Sequence, residues 1–180
     1  RGRTPEEDGR LARELLTNEK ERAELMMVVD LERNDLSRVC LPGTVEVPRL
    51  CGLESYAQVH HLVATVTGRL RPGIEVLDVL RAAFPGGSIT GVPKRRAMEI
   101  IEELEPVPRG PYTGSLGYIG FDGRAVFNIL IRTGWIHAGR LHFQTGGAVT
   151  ADSNPEQEFE ETAHKAAGWF AALGLGGDAS

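Results

Sequence analysis

The first hundred residues carry apolar positions mainly at helical spacing, and this pattern predicts a largely helical first half. Thr4 followed by Pro5 is a typical helix start, because threonine caps the helix and proline suits its first position. Asn18 has the same capping character, and Pro42-Gly43 breaks the helical pattern that follows it. Four helices are predicted: Pro5 to about Leu16, Asn18 towards Leu36, Ile74 to Ala83, and Pro93 to about Glu105.

Runs rich in valine and threonine, with apolar and polar residues alternating, predict strands between and after these helices. Short connections at Asp122-Gly123 and Ala138-Gly139 separate the last three runs, so those strands must be antiparallel neighbours. The predicted strands are Thr44 to Val47, about Gln58 to Arg69, Tyr112 to Phe121, Arg124 to Trp135, and Arg140 to Thr145.

A closing helix begins at Asn154-Pro155, with an apolar stripe predicted at Phe159, Ala163, Ala166 and Phe170. Since helices and antiparallel strands occupy separate stretches, the predicted fold class is α+β, with antiparallel β-sheet layers and flanking helices. We expect residues 1–173 to form one domain and the glycine-rich residues 174–180 to form a flexible tail.

The charge balance limits the classes of function. The 180 residues include 20 lysines and arginines and 25 aspartates and glutamates, which gives a formal net charge of -5. Nucleic-acid binding is therefore not expected. No apolar stretch approaches the roughly 18 residues that indicate a membrane span. Cys40 and Cys51 show neither zinc-site spacing nor a disulfide framework, and a cytoplasmic location is therefore expected.

Two predicted helices carry glutamates three residues apart, which places each pair on one helical face. The pairs are Glu21 with Glu24 and Glu158 with Glu161, and Lys165 follows the second pair. Carboxylates of this kind are the hard oxygen ligands that Mg²⁺ takes while it keeps several waters and an anionic substrate. Spacing alone leaves open the alternative of a solvated charged face.

The glycine-rich run from Pro85 to Val92 precedes the helix that Pro93 opens, and such a run offers backbone N–H groups to an anion. It does not match the nucleotide-binding P-loop, because Val92 occupies the position after Gly91 where that motif requires lysine. An ordinary helix start is the alternative.

Arg132 lies in the predicted strand Val126 to Thr133, on the face that alternation also gives to Asn128 and Leu130. An arginine in an otherwise apolar strand needs a partner, because an unpaired buried charge is costly. Either a bidentate clamp on a ligand carboxylate or a structural ion pair would supply one.

Two short pairs in predicted strands also offer candidate chemistry. His60-His61 are neighbours in a strand and point to opposite faces, so at most one imidazole faces a site, and a purely structural histidine is the alternative. Gly146-Gly147 follows a strand and either allows close approach of the backbone to a ligand or marks a turn or bulge.

Six motifs follow one another along the chain: Val29-Asp30-Leu31-Glu32-Arg33-Asn34-Asp35-Leu36, Gly86-Gly87-Ser88-Ile89-Thr90-Gly91-Val92-Pro93-Lys94, Tyr112-Thr113-Gly114, Ile131-Arg132-Thr133, Gly146-Gly147-Ala148 through Ala151-Asp152-Ser153, and Glu158-Phe159-Glu160-Glu161-Thr162 ahead of Lys165. In this order they resemble the chorismate-binding enzymes, a family that includes anthranilate, aminodeoxychorismate, isochorismate and salicylate synthases. The resemblance extends from Thr4 to about Leu173. It implies that the chain is the C-terminal part of that family's fold.

The resemblance also implies roles for individual residues, in a site where Mg²⁺ holds the ring carboxylate of chorismate. The implied roles are Glu24 and Glu161 as metal ligands, Glu21 and Glu158 reaching the metal through water, Arg132 and Tyr112 on the enolpyruvyl carboxylate, Lys165 with the backbone of Gly146 and Gly147 on a substrate carboxylate, Ser88 in the substrate pocket, and His61 rather than His60 near the reacting ring.

The implied activity is the amination of chorismate. The run from Gly86 to Lys94 resembles that of aminodeoxychorismate synthases, so the expected product is 4-amino-4-deoxychorismate, with ammonia supplied by a glutamine amidotransferase partner. Anthranilate synthesis and a non-catalytic chorismate-binding module are the alternatives. The family's nucleophilic lysine and its glutamate general acid would lie before Arg1, and we therefore expect the chain alone to be inactive.

Overall fold

A computed structural model of the chain describes residues 1–57, 59–150 and 153–174. Within these ranges no helix combines the length and the apolar character needed to cross a membrane. The chain forms two compact units, Arg1–Ile101 and Glu102–Ser180. Its mixture of helices and antiparallel strands confirms the α+β class. The assignment of residues 1–173 to one chorismate-binding domain stays a prediction, and residues 175–180 of the predicted tail lie outside the described ranges.

The first unit begins with two capped helices, as the sequence predicts. The Thr4 hydroxyl accepts a hydrogen bond from the Glu7 N–H at 3.2 Å, and Asn18 Oδ1 accepts one from the Glu21 N–H at 3.1 Å. Each cap satisfies an N–H group that the first turn of a helix leaves unpaired, which is why these residue types mark the starts correctly. The two helices are α1 (Pro5–Thr17) and α2 (Glu19–Ser37).

Among the described residues of the first unit, an antiparallel hairpin supplies the sheet. Its strands are β1 (Glu46–Ser55) and β2 (His60–Thr67), with Ser55 opposite His60 and Glu54 opposite His61. The first strand is longer than the predicted Thr44 to Val47. The small core beside the hairpin contains buried Val39, Cys40 and Ala82, with Leu36, Val45, Ile74 and Val79 packed against them.

Three further helices follow: α3 (Val76–Ala83), α4 (Gly87–Thr90) and α5 (Lys94–Leu104). The short α4 lies inside the glycine-rich run, where the sequence predicts only a loop ahead of a helix. A groove of about 220 Å³ also lies in the first unit, lined by Leu25, Val28, Val29, Glu32, Leu36, Ala64 and Val66.

The second unit contains two short hairpins, and its strands are shorter than predicted. They are β3 (Gly117–Ile119) with β4 (Ala125–Phe127), and β5 (Gly134–His137) with β6 (Arg140–Phe143). The predicted strand around Arg132 is wrong, because that residue has a φ of 53° and the left-handed region does not fit a β ladder. Thr113, with a φ of 62°, likewise lies in a turn ahead of β3.

Helix α6 (Pro155–Ala172) closes the described part of the second unit. Two aromatic residues near its C-terminal end pack on β6: the rings of Phe143 and Trp169 stack at 5.4 Å, and Phe170 meets Phe143 edge-on at 5.8 Å. Phe159 is 75% exposed, so the predicted apolar stripe is wrong at its N-terminal end. The contact between helix and hairpin therefore depends on the C-terminal turns of α6.

Replacing Trp169 with alanine is expected to lower the free energy of unfolding of the second unit by about 2 kcal/mol, because the half-buried indole loses its stack on Phe143. Urea unfolding followed by circular dichroism measures the loss. Phe159→Ala is the matched control and should leave stability nearly unchanged, since that ring is exposed. Equal losses in the two variants would contradict a stabilising stack of Trp169 on Phe143.

Candidate active site

Tyr112, Gly146 and Lys165 come together in the second unit, although they are far apart in sequence. The Lys165 ammonium donates a hydrogen bond to the Gly146 carbonyl at 3.2 Å. A Cβ placed on Gly146 would lie 2.8 Å from the Tyr112 hydroxyl oxygen, so the phenol lies directly against the glycine. A glycine at position 146 permits this close approach. Through these two contacts, three of the predicted substrate-binding residues form one cluster.

The next glycine lies beside a predicted metal-side carboxylate. A Cβ on Gly147 would lie 3.2 Å from Glu158 Oε2. The other oxygen, Glu158 Oε1, accepts a hydrogen bond from Ser153 at 2.7 Å, and the Thr150 N–H donates to Ser153 Oγ at 3.0 Å. Sequence reasoning assigned Ser153 no role, although it ends one of the six motifs. The hydroxyl fixes the orientation of the Glu158 carboxylate.

Lys165 also pairs with Glu161, one helical turn earlier on α6. An ammonium group has three N–H donors, and Gly146 and Glu161 are its two partners among the described residues. The lysine side chain is 26% exposed, whereas that of Glu161 is 55% exposed. The cluster therefore presents a partly buried cation with donor capacity for an anionic ligand.

The ring of Tyr112 is held by Arg109, which sequence reasoning missed. The Arg109 guanidinium lies 5.9 Å from the ring centroid and donates to Thr113 Oγ1 at 3.3 Å. Its hydrogen bonds to Glu105 raise the pKa of Arg109 above its already high usual value. The arginine thus stays charged, and it packs on the aromatic face in a cation–π contact.

Arg132 is exposed rather than buried in a strand. Within the described ranges its guanidinium makes no hydrogen bond and no ion pair, so the structural ion pair that the sequence left open is not found there. An exposed guanidinium held on a left-handed backbone position is available to a ligand carboxylate.

Glu21 and Glu24 lie on the first turns of α2 in the first unit. Glu21 is exposed, whereas the side chain of Glu24 is 38% exposed and lies 3.7 Å from the Lys20 ammonium. They share one helical face, as predicted. The other predicted pair, Glu158 and Glu161, lies on α6 of the second unit.

The two adjacent histidines of β2 have different surroundings. His60 Nδ1 lies 2.8 Å from the Ser55 hydroxyl, and Nε2 lies 3.1 Å from Asp8 Oδ1. Hydrogen bonds from Arg1 and the Gly2 N–H lower the pKa of Asp8 to about 2, so this partner is ionised at neutral pH. His61 is exposed and meets the Tyr56 ring edge-on at 5.7 Å. The imidazole of His60 is therefore held by two polar partners, whereas that of His61 is the more accessible of the two.

Ser88 is exposed on α4, and its hydroxyl has no hydrogen-bond partner within the described ranges. The predicted site residues thus divide between the units: Glu21, Glu24, His61 and Ser88 in the first, and Tyr112, Arg132, Gly146, Gly147, Glu158, Glu161 and Lys165 in the second.

The predicted magnesium site consists of the two glutamate pairs. Among residues 1–57, 59–150 and 153–174, no group of three or more histidine, cysteine, aspartate or glutamate side chains is arranged to hold an ion. Each pair still offers carboxylate oxygens on one helical face. That donor set fits Mg²⁺, which accepts one or two carboxylates and keeps several of its waters.

Comparison with known proteins gives a consistent result. A family model described as "chorismate binding enzyme" matches residues 1–170. The chain is 53% identical over 165 residues to anthranilate synthase component 1 1 of Haloarcula marismortui, covering 92% of this chain and 34% of that protein. It is 51% identical over 175 residues to aminodeoxychorismate synthase component 1 of Bacillus subtilis, covering 97% and 37% respectively.

A solved structure agrees with these sequence matches. Anthranilate synthase component I from Streptococcus pneumoniae TIGR4 superposes with a TM-score of 0.83 at 42% identity, over 89% of this chain and 37% of that one. The chain therefore spans about a third of the length of the curated relatives it matches. Two relatives with different named products match almost equally well.

Proposed function

The chain belongs to the family of chorismate binding enzymes, and from this premise we propose that it carries the groups that bind the two carboxylates of chorismate. The cluster around Gly146 supports the proposal, because it combines the Lys165 ammonium, the Tyr112 hydroxyl and a closely approachable glycine backbone. A dianionic substrate requires such convergent donors, since a chain of net charge -5 would otherwise repel it.

In this proposal each carboxylate has its own partners. Arg132 and Tyr112 bind the enolpyruvyl carboxylate, and the exposed guanidinium suits bidentate contact with it. Lys165 and the backbone of Gly146 and Gly147 bind substrate carboxylate. The Ser88 hydroxyl lines the substrate pocket, and His61 lies near the reacting ring.

Magnesium is part of the proposal. Glu24 and Glu161 would hold the ion directly, with Glu21 and Glu158 acting through water, and the ion would neutralise the ring carboxylate. Ser153 would keep the Glu158 carboxylate in one orientation for this role.

The proposed reaction replaces the C4 hydroxyl of chorismate with ammonia, forming 4-amino-4-deoxychorismate and water, a step towards para-aminobenzoate and folate in the cytoplasm. The 51% identity to an aminodeoxychorismate synthase and the run from Gly86 to Lys94 support it. The second candidate is anthranilate synthesis, with release of pyruvate and water, which the 53% identity to an anthranilate synthase supports. Both relatives are named as a component 1, and we propose a glutamine amidotransferase as the partner that supplies ammonia.

Calorimetry of the chain with chorismate, with and without Mg²⁺, tests binding directly. We expect Mg²⁺-dependent binding. Incubation of the protein with chorismate, Mg²⁺ and ammonium salt, followed by chromatography and mass spectrometry, then identifies the product. A product with the mass of 4-amino-4-deoxychorismate and no pyruvate supports the first candidate. Anthranilate with stoichiometric pyruvate supports the second, and an absence of chorismate binding overturns both.

Replacing Gly146 with alanine is expected to weaken chorismate binding about tenfold while leaving stability nearly unchanged. The new Cβ would lie 2.8 Å from the Tyr112 hydroxyl, which is the free end of a side chain and can rotate away from its binding position. Gly168→Ala on α6 is the control, because open space surrounds that position. Calorimetry and urea unfolding measure the two effects, and unchanged affinity would remove Tyr112 from the site.

A further inference from the structure

Ser88 lies in the ten-residue connection between α3 and α5. Contacts that have no part in the proposed function hold this connection against α2. At its end, the Lys94 ammonium donates a hydrogen bond to Asp35 Oδ2 at 2.6 Å and another to the Ala83 carbonyl at 3.2 Å. Ala83 is the last residue of α3, and Lys94 is the first of α5. One ammonium therefore joins both ends of the connection to a single carboxylate on α2.

The ion pair is shielded from water. The side chain of Asp35 is 7% exposed and that of Lys94 is 20% exposed. A shielded pair whose ammonium also makes a further hydrogen bond holds its groups in a defined geometry, unlike the exposed pairs Arg33–Asp30 and Arg81–Asp78.

A second attachment lies in the middle of the connection. Gly87 is buried, and a Cβ placed there would lie 2.7 Å from the Cβ of Leu31 on α2. Burial of Glu32 beside the groove, with the nearby Asp35, raises the pKa of its carboxyl, while Lys94 and Gly87 oppose that effect. The backbone next to Ser88 thus rests directly on α2.

The connection also has internal hydrogen bonds. The Thr90 hydroxyl donates to the Gly86 carbonyl at 3.0 Å, and the Ile89 N–H donates to the same carbonyl at 3.2 Å. These bonds close the turn from Gly86 to Gly91 around Ser88. They do not fix where the turn lies, which depends on Gly87 and Lys94.

We propose that Asp35 and Lys94 are positioning residues, which hold the Gly86–Gly91 turn against α2 and thereby place the Ser88 hydroxyl for the substrate. This inference rests on the proposed function, because it takes Ser88 to contact chorismate. The same helix carries Glu21 and Glu24 in its first turns, so the attachment fixes Ser88 relative to these two carboxylates. Displacement of a substrate-contacting group by about 1 Å is enough to weaken binding or turnover.

The test uses the double variant Asp35→Leu/Lys94→Met, because apolar replacement of both partners of a shielded pair usually preserves folding. Hydrogen exchange of the amides in residues 87–91 should accelerate about tenfold, while exchange in β1 and β2 stays unchanged. Chorismate affinity, measured by calorimetry on the full chain with Mg²⁺, should fall about tenfold. Ser88→Ala should weaken binding in the unaltered chain but add little in the double variant, since both changes remove the same contact.

Two further variants separate positioning from a general loss of stability. Lys94→Arg keeps the ion pair and should retain affinity within about threefold. Arg81→Met, which removes an exposed pair on α3, is the control and should change neither measurement. Additive effects of Ser88→Ala and the double variant, or unchanged exchange with normal chorismate binding, would overturn the inference alone. If the unaltered chain binds no chorismate, the proposed function fails and this role fails with it.

Discussion

An Arg132→Gly variant is expected to fold at least as stably as the unaltered chain and to bind chorismate about 100-fold more weakly, a loss of roughly 3 kcal/mol. Arg132 has a φ of 53°, and a left-handed conformation costs a residue with a Cβ roughly 1–2 kcal/mol. Glycine removes that strain at a smaller cost in backbone entropy. The guanidinium is exposed and has no hydrogen-bond or ion-pair partner within the described ranges, so the fold loses nothing with it.

Urea unfolding and calorimetry with chorismate and Mg²⁺ measure the two opposing effects. Ala138→Gly is a matched control, because Ala138 has a φ of 48° and belongs to no proposed contact with substrate. The control should gain stability and bind chorismate normally. Normal binding by Arg132→Gly would show that the guanidinium is not a substrate ligand, whatever the change in stability.

A Lys94→Met variant is expected to lower the free energy of unfolding of the first unit by about 3–5 kcal/mol. The substitution removes the ammonium and leaves the Asp35 carboxylate, whose side chain is 7% exposed, without its cation. An uncompensated charge in such a place is far more costly than the loss of an exposed ion pair. Urea unfolding followed by circular dichroism measures the change.

The exposed pair formed by Arg81 and Asp78 gives the comparison. Arg81→Met should change the free energy of unfolding by less than about 1 kcal/mol. Adding Asp35→Leu to Lys94→Met should restore most of the lost stability, because the orphaned charge is removed. A Lys94→Met variant as stable as Arg81→Met would mean that other groups stabilise the buried Asp35 carboxylate. In that case the ion pair does not hold the connection.

The longer helices were predictable because their signals are local, whereas the four-residue α4 was not predicted. Thr4, Asn18 and Asn154 each cap the helix that follows them, as their side chains and positions predict. Strand lengths in the second unit were not predictable from alternation, because Thr113 and Arg132 adopt left-handed conformations that glycine would normally signal. The alternation of apolar and polar residues continues through Thr113 and Arg132, but the hydrogen-bond ladder between strands stops there. The predicted strands are therefore too long.

The candidate site was also only partly predictable from sequence patterns. Periodicity correctly placed Glu158 and Glu161 on one helical face and His60 and His61 on opposite faces of a strand. The roles proposed for Tyr112, Gly146 and Lys165 came from the family resemblance, since residues so far apart in sequence give no spacing signal.

Other contacts around the predicted site residues had no signal in the sequence at all. The Asp35–Lys94 pair joins residues 59 positions apart, and Arg109 meets Tyr112 across a turn whose conformation alternation did not predict. Ser153 lies in a recognised motif, but its hydrogen bond to Glu158 depends on how the chain enters α6.

Both tryptophans of the chain lie in the second unit, Trp135 stacked on His142 and Trp169 stacked on Phe143. Intrinsic tryptophan fluorescence therefore reports on that unit alone. The helices α1 and α2, which make up much of the first unit, contribute strongly to the far-ultraviolet dichroism instead. One denaturation series followed by both signals can distinguish joint unfolding from stepwise unfolding without an added label. A shift of the fluorescence transition also identifies a substitution that has weakened the second unit.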